Sequence, residues 1–183
     1  MPRPAEAFHQ LLEVLDRMEI PYYVGGSVAS SAQDVDLVVD LQSDQIEEFT
    51  AQLHGDFYAD AALIREAFLR GRAANLIHFA TAYKFDLFPL RKDEYSRTEF
   101  ARRAFRKIQS LGPEPIECAV ASAEDTILRK IEWYRAAGET SERQWNDLRG
   151  ILKVSGPKLD QAYLRRWATH LKVDDLLDQL LKE

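Results

Sequence analysis

The 183-residue chain has one cysteine, Cys118, and no long apolar run. A single thiol cannot close a disulfide within the chain, which fits a reducing compartment. Uninterrupted apolar stretches are only a few residues long, far short of the ~20 that a membrane helix needs. The start, MPRPAEAFHQ, has no basic segment followed by an apolar core, so no secretory signal is expected. Lys and Arg number 24 against 30 Asp and Glu, a formal net charge of -6, which argues against a general nucleic-acid coat. Internal repeats, low-complexity tracts and Gly/Ser linkers are absent. What remains is an ordinary globular composition, 46% hydrophobic and 30% charged. A chain of this size buries roughly 70% of its unfolded surface without a disulfide or metal staple. The expectation is a cytoplasmic globular protein with no membrane part.

Hydrophobic periodicity organises the chain. Phe8, Leu11, Leu12, Leu15 and Met18 recur at helical spacing and predict an amphipathic helix over 5–18. Pro21 stops it, and Tyr22 to Val24 reads as a short strand running into Gly25-Gly26. A strand over Asp34 to Asp40 precedes a helix capped near Ser43 or Asp44, with Ile46, Phe49 and Leu53 inward. Residues 60–70 read as helical. Asn75 to Phe79 and Tyr83 to Phe88 read as a hairpin across Ala80-Thr81-Ala82. Ser96-x-x-Glu99 reads as the capping box of a helix carrying Phe100, Ala104, Phe105 and Ile108. Pro115 to Val120 is the last predicted strand. Beyond it, Ser122-x-x-Asp125 opens a helix that ends near Gly138, and Ser141-x-x-Gln144 opens another with Trp145, Leu148, Ile151 and Leu152 inward. Two more helices follow, around Tyr163/Trp167 and Leu176 to Leu181. The predicted class is α+β: a mixed sheet flanked by helices in residues 1–120, then a helical segment over 121–183.

Three features of the first part carry chemistry. Gly25-Gly26-Ser27 stands where a strand ends and a helix should begin; glycines admit close backbone approach, and free N–H groups at a helix start attract phosphate. The same residues also suit a plain turn. Asp34-x-Asp36 places two carboxylates on one face of a strand whose other face is Val35, Leu37 and Val39. Two carboxylates ~4 Å apart repel by ~4 kcal/mol at an effective dielectric near 20. Such a pair calls for a compensating charge, a divalent cation being the obvious one, unless both acids sit at a strand end facing water. Asp86 is a lone acid in the hydrophobic strand Tyr83-Lys84-Phe85-Asp86-Leu87-Phe88. An acidic pair plus a third acid on a neighbouring strand is the set a two-metal phosphoryl-transfer site needs.

Gly-Gly-Ser, then Gln33-Asp34-Val35-Asp36-Leu37-Val38-Val39-Asp40, then Lys84-Phe85-Asp86-Leu87, resembles the polymerase-β-type nucleotidyltransferase superfamily. Within it the chain looks like small bacterial proteins related to abortive-infection (AbiEii-type) nucleotidyltransferase toxins. The stretch Ala123 to Tyr134, followed by Ser141 to Leu148, is similar to the C-terminal helices of those proteins. The resemblance spans roughly residues 20 to 155. It implies transfer of a nucleoside monophosphate from a nucleoside triphosphate to an acceptor hydroxyl on tRNA or other RNA, a protein or a small molecule, in a toxin–antitoxin setting. It implies Mg2+ or Mn2+ held by Asp34, Asp36 and Asp86, which are also the catalytic set, with Asp86 as third ligand and base. Gly25, Gly26 and Ser27 would hold the triphosphate, and Lys130 would stand near the nucleotide. One departure is plain: only Val28 to Gln33 separate Ser27 from Asp34, where the family has a longer helix and a basic, Pro-containing loop. The short spacing reads as a deletion or as a loop absent from this sequence.

The remaining candidates have simpler readings. Asp147 could cap, or pair with Arg143 one turn earlier, as a structural or supporting residue. Trp133, Tyr134, Trp145 and Trp167 read as core. His9, His54, His78 and His170 lack metal-ligand spacing, Cys118 has no base nearby in sequence, and Asp40 ends its strand. Residues 91–107 carry seven basic against three acidic side chains, and on the predicted helix Arg102 and Arg106 share a face. That segment suits either a solvated face or the approach of an RNA acceptor. The rival to the enzyme is a catalytically inactive nucleotidyltransferase-fold binding protein, antitoxin-like or a scaffold, whose difficulty is three clustered acids without a metal.

Overall fold

Helical spacing at the start forms α1 over Pro4–Arg17, with proline in the first turn and the Glu6 carboxylate accepting from the Arg3 backbone N–H at 3.1 Å. The computed structural model describes residues 3–25, 34–109 and 114–182. The chain divides into two compact units, Met1–Val120 and Ala121–Glu183.

In the first unit, β1 (Tyr22–Val24), β2 (Asp34–Val39), β3 (Phe57–Tyr58), β4 (Ala74–His78), β5 (Lys84–Pro89), β6 (Ala104–Ile108) and β7 (Ile116–Val120) form one mixed sheet, ordered β3-β4-β5-β2-β1-β7-β6. β2 and β5 are parallel neighbours at its centre; parallel pairing requires a crossover, supplied by α2 (Ile46–Leu53), α3 (Ala61–Leu69) and the β3/β4 pair. The class is the predicted α+β with a mixed sheet. One sheet face holds the core. Phe8 of α1 stacks on Phe85 of β5 at 6.0 Å, and Phe57 and Tyr83 lie against the same ring at 6.0 and 5.3 Å. On the opposite face α4 (Glu94–Arg102) lays Phe100 against Tyr23 at 5.7 Å.

The structure corrects several local expectations. Gln45, not Ser43 or Asp44, stands at the N-cap of α2, because a turn before the helix ties its Oε1 to the Gln42 N–H at 3.0 Å. Two-residue β3 is too short to show alternation in sequence. Helix α4 opens at Asp93, whose carboxylate accepts from the Ser96 N–H at 2.8 Å and the Ser96 hydroxyl at 2.7 Å. It stops at Arg102, and Ala104–Ile108 is strand β6, antiparallel to β7. The helical spacing there is overridden by the five-residue ladder from Ala104↔Val120 to Ile108↔Ile116.

The second unit contains α5 (Ala123–Ala136), α6 (Glu142–Ser155), α7 (Gln161–Leu171) and α8 (Asp174–Leu181). Ser122 accepts from the Asp125 N–H at 3.1 Å and Ser141 from the Gln144 N–H at 3.4 Å, the two caps expected from sequence. Past α5, Gly138 takes φ 78°, the left-handed turn that glycine adopts without strain. Trp145 and Trp167 are buried, but Trp133 is 39% exposed, and Ile151 and Leu152 are only half-buried. Among the described residues no helix is long and apolar enough to cross a membrane.

Candidate active site

The candidate site grows from the β2/β5 register. Asp34 stands beside Lys84 and Asp36 beside Asp86. Residues in register point to one face, as do residues two apart on a strand, so the three acids and Lys84 share a face. The other face carries Val35, Leu37, Phe85 and Leu87, all buried. That apolar side locks the register, because a slip of one residue would turn every acid into the core. The antiparallel β4/β5 pair adds Asn75 opposite Asp86.

Lys84 Nζ lies 3.1 Å from Asp86 Oδ2 and 3.5 Å from Asp34 Oδ2. Asn75 Nδ2 donates a short hydrogen bond to Asp86 Oδ1. Both oxygens of Asp86, whose side chain is 17% exposed, thus have donors. Desolvation pulls the Lys84 pKa down. The hydrogen bond to Asp86, the charges of Asp86 and Asp34, and the hydrogen bond to Asp34 outweigh it and hold the ammonium above the usual lysine range. This corrects the argument from charge alone. The compensating cation that the acids require is supplied in this structure by strand alternation, as Lys84. Among the described residues no three His, Cys, Asp or Glu side chains converge into a metal-binding group. The donor chemistry nevertheless fits a magnesium or manganese ion, since carboxylate oxygens are the hard donors those ions prefer, and Lys84 marks a position where positive charge is stable.

The Gly25 N–H donates to the Asp36 carbonyl at 2.9 Å, carrying the β1/β2 pairing past the end of β1 and beside the acids. A Cβ there would meet Tyr23 Cε2 at 3.8 Å and the Asp36 carbonyl at 4.0 Å, ordinary contacts, so space alone does not demand glycine. Gly26, Ser27 and the short segment Val28 to Gln33 lie outside the described residues. Next to the site, the Tyr83 hydroxyl is buried and has no hydrogen-bond partner among the described residues. Burial, and then the charge of Asp34, raise its pKa.

Lys130 belongs to the helical unit, where its side chain is 12% exposed and its Nζ lies 3.1 Å from Asp147 Oδ2. Asp147 thus ties α6 to α5 through Lys130. The basic segment changes character. Arg102 ends α4 while the exposed Arg106 sits on β6, so the helical face on which they were to meet does not exist. Arg103 lies over the Phe100 ring at 4.2 Å and donates to its carbonyl at 2.7 Å. His78 is buried, with Nδ1 2.9 Å from Thr81 Oγ1.

Lys84 and Asn75 were not singled out from sequence. Lys84 is two residues from Asp86 in a strand, hence on its face, a signal the sequence carries. Asn75 has no such signal: a turn over Ala80–Ala82 would set Leu76 opposite Asp86, whereas the observed turn spans four residues, 79–82, and shifts the register by one to Asn75.

The chain matches no protein-family profile and no curated protein. Its fold is similar to that of an antigenic nucleotidyltransferase-like protein from Paracoccidioides brasiliensis, at 15% identity over 96% of this chain and 91% of the other, with a TM-score of 0.52. It is also similar to ANT(2'')-Ia solved in complex with adenylyl-2''-tobramycin, at 15% identity over 91% and 95% of the two chains, with a TM-score of 0.51. The chain has a nucleotidyltransferase-type fold.

Proposed function

We propose that this chain is a metal-dependent nucleotidyltransferase that moves a nucleoside monophosphate from a nucleoside triphosphate to an acceptor hydroxyl. The observation that carries the reading is the parallel register that sets Asp36 beside Asp86, with Asp34 on the same face. Asp34, Asp36 and Asp86 would hold Mg2+ or Mn2+, which when bound neutralises the triphosphate and orients the attacking and leaving oxygens. Backbone N–H groups of Gly25, Gly26 and Ser27 would bind the triphosphate, and the resemblance adds Lys130 as a nucleotide-binding residue. Asp86 accepts the proton of the acceptor hydroxyl as that oxygen bonds to the α-phosphorus; the bond to pyrophosphate breaks and pyrophosphate leaves. Asn75 keeps Asp86 oriented for this. Catalysis is mainly positioning and charge neutralisation. The ANT(2'')-Ia complex holds an adenylyl group on tobramycin, and the product proposed here is of the same class. The AbiEii-type resemblance adds a toxin role in a toxin–antitoxin pair, with tRNA or a protein as acceptor.

Lys84 favours a second reading, an inactive nucleotidyltransferase-fold binding protein, because it removes the objection that clustered acids need a metal. One experiment separates the two. Each α-labelled nucleoside triphosphate is incubated with magnesium, the protein and a cell extract, alongside Asp36→Asn. Label on an acceptor that Asp36→Asn does not produce supports the enzyme. No transfer, together with no metal-dependent thermal shift with any triphosphate, supports the binding protein.

A further inference from the structure

We infer that Lys84 is the built-in cation of the acidic cluster, and that a divalent ion binds Asp34 and Asp86 only by displacing it. The inference deepens the metal-dependent reading above and rests on it. Three observations converge. The register places Lys84 beside Asp34, and alternation places it on the face of Asp86, so its position follows from the central strand pair rather than from a chance surface contact. Its ammonium reaches one oxygen of each acid, at 3.5 and 3.1 Å. Asn75 already donates to Asp86 Oδ1, and Lys84 holds the other oxygen, Oδ2. An ammonium and a divalent ion cannot share that space, since like charges at contact distance repel strongly.

Displacement is mechanically open. Lys84 carries its charge on a flexible four-carbon stem, and its side chain is 36% exposed, so the ammonium can swing into water without disturbing the buried Phe85 and Leu87 on the other face. The metal-free site therefore keeps its acids together, and metal affinity is reduced by the fraction of molecules in which Lys84 still holds them.

The test compares wild type, Lys84→Met and Lys84→Gln, with Asp36→Asn as control. Mn2+ alone is titrated into each and followed by loss of the free-ion electron paramagnetic resonance signal, and metal-free urea unfolding is measured in parallel. The expected result is Mn2+ affinity raised roughly tenfold in both Lys84 variants. Metal-free stability should fall in the wild-type background and not in an Asp86→Asn background. Wild-type binding with unchanged or weaker affinity in the variants overturns the exchange and leaves the proposed function standing. Absence of Mn2+ binding in wild type and variants alike overturns both. Equal destabilisation by Lys84→Met in the two backgrounds also overturns the exchange, because the lysine then acts by packing alone.

Discussion

Asp36 and Asp86 stand opposite one another in the parallel register of β2 and β5, and neighbouring strands lie ~4.8 Å apart. Their proximity is thus a property of the sheet rather than of flexible side chains. Everything the site can do follows from that pair, with Asp34 and Lys84 one step along the same strands.

On the proposed nucleotidyltransferase reading, Asp36→Asn and Asp86→Asn should each lower nucleotidyl transfer by roughly 10²-fold or more, since each would remove charge aimed at the transition state. Neither side chain is part of the buried hydrophobic core, so the urea midpoint should move little for Asp36→Asn, whereas Asp86→Asn should lower it by the lost pairing with Lys84. Measured kcat/KM and unfolding curves decide it; an active Asp36→Asn enzyme would remove Asp36 from the catalytic set.

Phe85→Ala should destabilise the first unit by about 3–5 kcal/mol, because the fully buried ring is the meeting point of Phe8, Phe57 and Tyr83. Loss of Phe85 also loosens the strand that carries Lys84 and Asp86. Chemical denaturation measures the cost, and a loss below about 1 kcal/mol would show that the ring is not the keystone of that face.

Lys130 and Asp147 should be energetically coupled. Lys130→Met and Asp147→Asn each strand a half-buried charge, so the double variant should be nearly as stable as either single one, with a coupling of about 1 kcal/mol. A double-mutant cycle in urea reads this directly. Additive losses would mean that the 3.1 Å contact is energetically idle.

Alkaline stability should fall from about pH 8.5 upward. Burial pushes the Cys118 thiol up to about 12. Burial first, then the charges of Asp16 and Cys118, raises Tyr22 well above its ordinary value. In the unfolded chain these groups titrate near ~8.5 and ~10, so above those values the native state binds more protons and loses stability relative to the unfolded one. The contribution is complete below the unfolded values and declines by at most about 1.4 kcal/mol per pH unit for each group as pH rises toward the folded ones. Urea unfolding at pH 8 to 11 checks it, with Cys118→Ala flattening the lower part of the slope. A flat profile would contradict the burial of both groups.

Much of the fold was legible because most elements announce themselves through periodicity. α1 shows a helical stripe, β2 and the first four residues of β5 alternate between half-buried and buried, and Ser122 and Ser141 cap helices where their hydroxyls accept from an N–H three residues on. The segment after Arg102 was misread because Phe100, Ala104 and Ile108 also fit a helix; only β7, further along the chain, turns Ala104–Ile108 into a strand. The helical arginine face vanished with it. Asp93 displaced Ser96 as the cap of α4 because a carboxylate immediately before the first helical residue can hold both the N–H and the hydroxyl of Ser96, three residues on.

Strand alternation, a local consequence of backbone geometry, was enough to put Asp34 and Asp36 on one face and their apolar neighbours on the other. Which strand lies next to which, and in what register, depends on burying the apolar faces of β2 and β5 together, and no local pattern encodes that choice. The tertiary structure alone therefore decided that Asp86 meets Asp36, that Asn75 meets Asp86, and that the positive charge between Asp34 and Asp86 is Lys84. The physical reason is that a strand determines the direction of its own side chains, whereas their partners are set by long-range pairing, which becomes favourable only when the whole sheet buries its core.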